Sequence, residues 1–295
     1  MRHSSDLRAV AECRSFTLAS VLVHLTQPGV SKHIKQMEEY FGAPLFDRVG
    51  KRVTPTESGR ILYEATQEIM ATIEAAERRI DDLKGLCGGE LRLGTSFPVG
   101  VYLLPGVLAE FRERYPGAEV TLDISVSEAI ETRLLGNDLD LGLVSHVPRN
   151  PRLQAKVFMT DELVVIVPGK HEWAAKQHIK PQDLVAKAFI VAAPGAGTRT
   201  VVEERLKALD IALPHVLEFG NLEGVKHAVE AGLGVSIQAK SVVQREVATG
   251  SLRAIRLRGM DAKIDFFYAF RKGAHVTNAA QALVGLLHEQ FPARR

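Results

Sequence analysis

The stretch Thr26–Tyr40 carries the polar side chains whose types and spacing most clearly suit a chemical task. Gln27 and Ser31 lie four residues apart, so on a helix they share one face. Their amide and hydroxyl groups suit base edges, whereas Lys32 and Lys35 suit phosphate oxygens. The pattern predicts a helix inserted into a DNA major groove, although an ordinary amphipathic surface helix would share this spacing.

The same stretch has the signals of a helix start and of a buried face. Thr26 can cap a helix, because its hydroxyl can accept a hydrogen bond from a free amide of the first turn. Pro28 suits that turn, because the N–H that it lacks would have no helical partner there. Val30, Ile34 and Met37 recur at spacings of four and three, so they are predicted to face a core.

The flanking residues complete a winged helix-turn-helix. Asp6–Cys13 and Phe16–Leu25 are predicted to be short helices, the second joined to the Thr26 helix by almost no loop. Phe41-Gly42 suits a glycine C-cap, and Asp47–Pro55 is predicted to form two short strands. These strands are a wing whose cations would contact the DNA backbone. His33, within the central helix, is expected to be solvated.

The run from Phe16 to Gly59 resembles the N-terminal domain of LysR-type transcriptional regulators. The resemblance is carried by the segments SFTLAS, LTQPGVSKHIKQMEEYFG, PLFDR and TPTESG. It implies that Gln27, Pro28, Ser31 and Lys32 contact DNA and that the wing cations touch phosphate. The family more often has arginine at position 32, and lysine lacks the bidentate fork of arginine. The full predicted DNA-binding set is Thr26, Gln27, Pro28, Ser31, Lys32, Lys35, Arg48, Lys51 and Arg52.

Composition is that of an ordinary globular protein with two or three folding units. The chain has 295 residues, of which 46% are apolar and 24% charged. Residues 1–59 hold eight Lys and Arg against six Asp and Glu, so DNA affinity must depend on cation placement and on several copies of the domain. Cys13 and Cys87 have no metal-ligand spacing, so no metal or cofactor is expected. Without an export signal or an 18-residue apolar run, a cytoplasmic location and no membrane partner are expected.

A long helix is predicted from Thr56 to about Leu86. Its apolar residues recur at steps of three and four, which is the seam of a two-stranded coiled coil. They are Leu62, Ala65, Ile69, Ile73, Ala76, Ile80, Leu83 and Cys87. We interpret the helix as a dimerisation element, and the resemblance implies the same, with a homotetramer as the expected assembly. A single connecting helix that lies on its own domain is the alternative.

Strands and helices alternate from Glu90 to the C-terminus, which predicts an α/β domain with largely parallel sheets. The predicted strands are Glu90–Thr95, Val120–Val126, Leu139–Val144, Leu163–Pro168, Ala188–Ala193, Val216–Phe219, Val235–Gln238 and Phe266–Phe270. Length favours two lobes, and the order resembles a periplasmic-binding-protein-like fold in which the chain crosses over and returns. The predicted domains are 1–58 (winged helix-turn-helix), 59–88 (linker helix) and 89–295 (effector-binding), with lobe one at 89–162 and 266–295 and lobe two at 163–265.

Polar residues follow several predicted strands, where ligands settle in α/β sheets. Hydroxyls and free amides at helix starts form anion sites, and Arg199 would add a positive charge. The sequence therefore predicts a small anionic effector between the lobes, although each residue alone could be only a helix cap. The predicted effector-binding residues are Thr95, Ser96, Pro98, Ser127, Ser145, Gly197, Thr198, Arg199 and Asn221.

Two functions fit these features. The first is a ligand-responsive transcription regulator that binds promoter DNA as a dimer or tetramer and has no catalytic site. The second is a cytoplasmic small-molecule binding protein or enzyme with an N-terminal interaction module. The basic wing and the lack of any GxSxG, HExxH or P-loop motif favour the regulator. The loop GAGTR resembles that of family members that respond to inorganic sulfur anions or to phosphorylated carbon metabolites.

Overall fold

The structure is a computed structural model that describes residues 2–49, 52–82, 89–213 and 216–292. Contacts divide the chain into two compact units, Met1–Ala76 and Glu77–Arg295. Within the described residues, no helix is both long enough and apolar enough to cross a membrane.

The first unit is a three-helix domain with a two-stranded wing. Its elements are α1 (Arg2–Cys13), α2 (Phe16–Leu22), α3 (Gln27–Phe41), β1 (Phe46–Val49), β2 (Arg52–Pro55) and the start of α4 (Glu57–Asp82). The core is built from buried apolar side chains of all three helices and the wing. Val30 and Ile34 of α3 belong to it, as their spacing predicts, and Met37 packs against it half-buried.

Helix α4 has 26 residues and is therefore about 39 Å long at 1.5 Å per residue. Leu62, the first residue of the predicted seam, packs against the core of the first unit. Ile69 and Ile80 are 58% and 56% exposed, so the described part of the seam leaves apolar side chains in contact with solvent. Leu83 and Cys87, the last predicted seam positions, lie outside the described residues.

In the part that the structure describes, the second unit contains ten strands and six α-helices. The strands are β3 (Gly89–Ser96), β4 (Ala118–Ser125), β5 (Leu141–Val144), β6 (Leu153–Pro168), β7 (His178–Ile179), β8 (Phe189–Val191), β9 (Val216–Glu218), β10 (Ser236–Ala239), β11 (Leu252–Leu257) and β12 (Lys263–Arg271). The helices are α5 (Leu104–Arg114), α6 (Ser127–Leu135), α7 (Gly197–Lys207), α8 (Leu222–Glu230), α9 (Gln244–Thr249) and α10 (Asn278–Gln290). A π-helical turn, Val99–Leu103, precedes α5, and 3-10 turns lie at Pro181–Ala186 and Lys240–Val243.

Strand β6 joins the two lobes of this unit. Its residues 153–162 pair with β12, and its residues 163–168 pair with β10 and β11. Lobe one is therefore built on the order β4-β3-β5-β12-β6, and lobe two continues it through β11 and β7. A separate parallel pair, β8 with β9, completes lobe two. The predicted two-lobed fold is confirmed.

The expectation of largely parallel sheets was wrong for the middle of this unit. Strand β3 is parallel to β4 and to β5, but β6 is antiparallel to β10, β11 and β12. The first half of β6 was not predicted as strand, because LQAKVFMTDE is half-exposed and lacks the continuous apolar run of LVVIVP. Strand β12 is antiparallel to β6 because the chain enters lobe two along β6 and returns from it along β12.

Candidate functional site

Helix α3 begins and ends as its sequence predicts. Oγ1 of Thr26 accepts a hydrogen bond from the backbone N–H of Gly29 at 3.3 Å, and Pro28 lies in the first turn. At the other end Gly42 has a φ of 65°, the left-handed conformation that favours glycine. These two caps fix where α3 begins and ends, and the burial of Val30 and Ile34 leaves its other side exposed.

The exposed face of α3 carries neutral hydrogen-bonding groups at its start and cations behind them. Gln27 is exposed, and its Nε2 donates to Oγ of the half-buried Ser31 at 3.1 Å. Lys32 and Lys35 are exposed, and Nζ of Lys35 lies 3.7 Å from Oε1 of Glu39. This is the order of groups that base edges followed by phosphates would require.

The prediction for His33 was wrong. Its Nδ1 lies 2.5 Å from Oδ2 of Asp6, a residue of α1 that is only 2% exposed. A buried carboxylate needs a partner, and His33 supplies one. His33 therefore joins the recognition helix to α1 instead of standing in solvent.

The wing is tied to the end of α3 by backbone contacts. The N–H of Leu45 donates to Oε1 of Glu38 at 2.9 Å, and the hydroxyl of Thr56 donates to the carbonyl of Pro44 at 2.7 Å. The carbonyl oxygen of Leu45 also approaches Gly59, where a Cβ would lie 1.9 Å from it. Only glycine fits at that position, so the start of α4 can close against the base of the wing.

Two of the predicted wing cations lie on the two strands. In the antiparallel register Arg48 pairs with Val53, and Arg52 pairs with Val49. Lys51 lies outside the described residues. Their contacts with phosphate remain a prediction.

The second unit has a cleft of about 330 Å³ between its lobes. Strand ends of lobe one form one wall, and the starts of α7 and α8 in lobe two form the other. The lining residues are Ser96, Phe97, Pro98, Ile124, Ser125, Val126, Ser127, Ser145, Ala192, Ala193, Ala196, Gly197, Thr198, Gly220, Asn221, Leu222 and Gln238. Seven of the nine predicted effector-binding residues are in this set, the exceptions being Thr95 and Arg199.

Four buried hydroxyls meet in the cleft. They belong to Ser96, Ser127, Ser145 and Thr198, and none makes a hydrogen bond within the described part of the chain. Thr95 is different, since its hydroxyl donates to the carbonyl of Ser96 at 3.1 Å and the side chain packs beneath the cleft. A buried hydroxyl without a partner is costly, so four at one place indicate a site for a polar ligand.

Two helices begin at the cleft without a side-chain cap. The residues before α6 and α7 are Val126 and Ala196, whose apolar side chains cannot accept from the first-turn amides. Asn221 differs, because its Oδ1 accepts from the N–H of Gly224 at 2.8 Å and caps α8 itself. Among the described residues, the first-turn amides of α6 and α7 therefore have no side-chain cap, and the positive ends of both helix dipoles lie at the cleft.

Arg199 lies outside this cleft, although it follows Thr198. Its Nε is 2.7 Å from Oε1 of Glu203, and its Nη1 donates to Oε2 of Glu218 at 2.9 Å and to the carbonyl of Ala192 at 2.7 Å. Partial burial lowers the pKa of Arg199, but the hydrogen bonds to Glu218 and Glu203 outweigh it and raise the pKa above its usual value. The positive charge is thus matched by two carboxylates, and it lines a neighbouring hollow instead.

Sequence reasoning missed Gln238 and the apolar wall. Gln238 is buried at the end of β10, and its Nε2 donates to Oγ of Ser236 at 3.0 Å. The rule that strand ends line clefts applied to it as well as to Ser127 or Ser145. Phe97, Ile124 and Leu222 offered no such signal, because apolar residues near strand ends also serve the core.

A winged helix-turn-helix and a two-lobed cleft domain in one chain define a ligand-responsive DNA-binding regulator. The family model described as "Bacterial regulatory helix-turn-helix protein, lysR family" matches residues 1–60. A second model, "LysR substrate binding domain", matches residues 84–292. The chain belongs to the LysR family of transcriptional regulators.

Curated relatives match over nearly the whole chain. A RuBisCO operon transcriptional regulator of Allochromatium vinosum is 32% identical over 282 residues, covering 96% of this chain and 93% of that one. The transcriptional activator CmpR of Synechocystis is 32% identical over 279 residues, covering 95% and 91%. These relatives are transcription regulators, and regulation of transcription through DNA binding is the function of this chain.

Solved structures agree on the fold. Full-length OxyR from Pseudomonas aeruginosa superposes with a TM-score of 0.75 over 97% of this chain and 94% of that one, at 20% identity. The regulatory domain of CcmR from Synechocystis, in complex with 2-PG, superposes with a TM-score of 0.64 at 30% identity. It covers 70% of this chain and 98% of that domain.

Proposed function

We propose that this regulator is switched by a small metabolite with an oxyanion group, held in the interlobe cleft by hydroxyls and helix starts. The observation that carries the proposal is the group of four buried hydroxyls beside the uncapped starts of α6 and α7. Each hydroxyl can donate to an anion oxygen, and so can each first-turn amide. Ligand oxygens would satisfy the donors that the protein itself leaves without partners.

This site would bind an anion without a cationic side chain. Among the described residues that line the cleft, none is charged, and Arg199 is held by Glu203 and Glu218. The favourable electrostatics must therefore come from two helix dipoles and from oriented hydroxyls. Such a site favours a compact group with several oxygens, such as phosphate or carboxylate, over a single hydroxyl.

The size and walls of the cleft limit the remainder of the ligand. About 330 Å³ lies at the low end for small-molecule sites, and Phe97, Ile124 and Leu222 supply apolar surface opposite the polar end. A short carbon body attached to the oxyanion would fill that space. The relative CcmR has 2-PG bound to its regulatory domain, and we take a short acid of this kind as the effector class.

For the DNA-binding face we propose that Gln27, Pro28, Ser31 and Lys32 meet base edges. Lys35, Arg48, Lys51 and Arg52 would then meet phosphates, and Thr26 would hold the start of α3 in position. The exposed order of groups on α3 supports this division. A protein with this role acts in the cytoplasm, where promoter DNA is found.

We also propose that α4 pairs two protomers and that two such pairs form a tetramer. Exposure of Ile61, Ile69 and Ile80 supports pairing, because a helix with this much uncovered apolar surface gains from a partner. Two or more copies of the winged domain would supply the DNA affinity that the mild charge of one copy does not. Ligand binding would act by favouring one arrangement of the lobes over another.

The test is a titration of the full chain with 2-PG, inorganic phosphate and sulfate, in which binding is measured by calorimetry and by thermal shift. We expect 2-PG to bind wild type and to bind a Ser127→Ala, Thr198→Val double variant at least tenfold more weakly, since two hydrogen bonds to a charged group are lost. Ser241→Ala is the matched control, because that hydroxyl is also buried without a described partner but lies away from the cleft. Equal affinity in wild type and in the double variant would contradict the assignment of this site.

A further inference from the structure

A buried lysine lies in the second unit behind the cleft. Lys226 of α8 is 2% exposed, and its Nζ lies 2.6 Å from Oε1 of Glu246 and 3.0 Å from Oε1 of Glu223. Its Nζ also lies 4.6 Å from the centre of the Tyr102 ring. Both carboxylates belong to lobe two, on α8 and α9, whereas Tyr102 belongs to the π-helical turn that leads into α5 of lobe one.

The Tyr102–Lys226 contact is therefore a contact between lobes. Tyr102 follows the cleft residue Pro98 by four positions, and Lys226 follows the cleft residue Leu222 by four. Four residues are about one turn of a helix. The two segments that reach the cleft from opposite lobes thus meet again one turn behind it.

The charge and its surroundings determine which lobe arrangement is favoured. A lysine removed from water needs partners, and Glu246 and Glu223 satisfy it inside lobe two. The ring of Tyr102 covers the remaining side of the ammonium, and a cation held against a ring is most favourable when water is excluded. Rotation of the lobes that withdrew the ring would expose this site, so the contact favours the arrangement in which it is made.

The ring of Tyr102, and not its hydroxyl, makes the contact with Lys226. That hydroxyl is buried and makes no hydrogen bond among the described residues. The ring face, by contrast, has Lys226 as a partner across the lobes. The π-helical turn that carries the ring is a form of backbone that is frequent at functional sites.

We infer that Tyr102 and Lys226 are positioning residues for the effector site. Their contact sets the separation between the Pro98 side and the Leu222 side of the cleft, and so it sets effector affinity and the lobe arrangement without ligand. This inference rests on the proposed effector site. It requires that the contact between lobes, and not the ion pairs within lobe two, controls affinity.

Variants of Tyr102 separate these two roles, because they leave Lys226, Glu246 and Glu223 in place. Tyr102→Phe keeps the ring face and removes only the hydroxyl without a partner, so we expect wild-type behaviour. Tyr102→Leu removes the ring, and we expect roughly tenfold weaker binding of 2-PG. If Tyr102→Leu did not fold, Tyr102→Met, which also lacks the ring and leaves the ion pairs of Lys226 in place, serves as the second variant, with the same expected loss.

The lobe arrangement is measured directly by electron spin distances in the full chain. Spin labels would be placed at Glu113 on α5 and at Lys207 on α7, both exposed, after Cys13 and Cys87 have been replaced by serine. We expect one distance distribution shared by wild type and Tyr102→Phe, and a shifted or broader one for Tyr102→Leu without ligand. Wild-type distances and wild-type 2-PG affinity in Tyr102→Leu would overturn the inference. Failure of wild type to bind 2-PG would instead count against the proposed effector class, while the ligand-free distances still test the contact.

Discussion

Nδ1 of His33, on the recognition helix α3, lies 2.5 Å from the buried carboxylate of Asp6 on α1. This contact crosses the inside of the first unit, on the side of α3 away from the proposed DNA face. It gives His33 a structural role in a helix on which Gln27, Lys32 and Lys35 are exposed.

Replacing His33 by alanine should destabilise the first unit without removing a DNA contact. The change leaves the Asp6 carboxylate without the partner at 2.5 Å, and a buried polar group that loses its partner costs about 1–3 kcal/mol. Thermal unfolding followed by circular dichroism measures this loss. Lys32→Ala is the control on the exposed face of α3, and an equal loss of stability in both variants would contradict the role given to His33.

Alanine at Gln27 or Ser31 should reduce the preference for the operator over unrelated DNA. A lost base contact costs about 1–3 kcal/mol of discrimination. In the free protein Gln27 donates to Ser31 at 3.1 Å, and this hydrogen bond must be exchanged for base contacts on binding. Competitive anisotropy titrations with selected and random duplexes give the ratio. A change in affinity of the same size for both duplexes would mean that these residues do not read sequence.

The wing cations should act on all DNA alike. Arg48→Ala or Arg52→Ala should weaken binding to any duplex and reduce the slope of log K against log salt concentration by about one for each phosphate contact. The measurement is a set of anisotropy titrations at four or more salt concentrations. A changed base preference with an unchanged salt slope would contradict the assignment of these residues to phosphate contacts.

A charge in the exposed seam of α4 should break the oligomer. Ile69→Asp puts a carboxylate at a position that is 58% exposed in the protomer and would be buried in a helix pair. We expect a shift to monomer in sedimentation velocity. Gln67→Asp puts the same side chain on an exposed polar position of α4 and should leave the assembly intact. If both variants keep the wild-type mass, α4 is a single connecting helix.

Gly197 offers a second approach to the cleft. A Cβ there would lie 2.5 Å from Oγ of Ser145, 2.9 Å from Oγ of Ser127 and 3.0 Å from Nδ1 of His146. All three atoms belong to lobe one, whereas Gly197 belongs to lobe two, so Gly197→Ala should hold the lobes apart and weaken 2-PG binding. Gly285→Ala, in α10 with nothing within 4 Å of the added Cβ, is the control. Calorimetry measures the affinity of both variants for 2-PG. Weaker binding in Gly197→Ala alone indicates crowding at the cleft, and equally weak binding in both variants indicates a general effect of alanine.

Local signals in the sequence were sufficient for the DNA-binding helix but not for the cleft. The Thr26 cap, the Gly42 cap and the buried pair Val30 and Ile34 depend on neighbours within a turn, and all were predicted correctly. Arg199 depends on Glu218, which lies 19 residues away on β9, so its neutralisation could not be foreseen. The contact between His33 and Asp6 was not predicted for the same reason, because the two residues are 27 positions apart.

The lobe junction illustrates a second limit. The first half of β6 was not predicted because its exposed residues interrupt the apolar run. Strand β11 was not predicted because the two arginines of LRAIRL interrupt its apolar residues. Tyr102 and Lys226 read as ordinary members of amphipathic segments, since a buried lysine is identified only by what surrounds it. Most features that could not be predicted from the sequence thus depend on interactions between residues far apart in the chain.

The central claim is that the α3 face reads promoter DNA under control of the cleft. The most direct measurement is capture and sequencing of genomic fragments by the full-length protein at low salt, with and without 2-PG. We expect wild type to capture a small set of fragments, and the Gln27→Ala, Ser31→Ala double variant to lose them. We expect 2-PG to change the occupancy of these fragments in wild type but not in the Ser127→Ala, Thr198→Val double variant. Capture of no fragment above background, or the same fragments at the same occupancy in all these samples, would contradict the account.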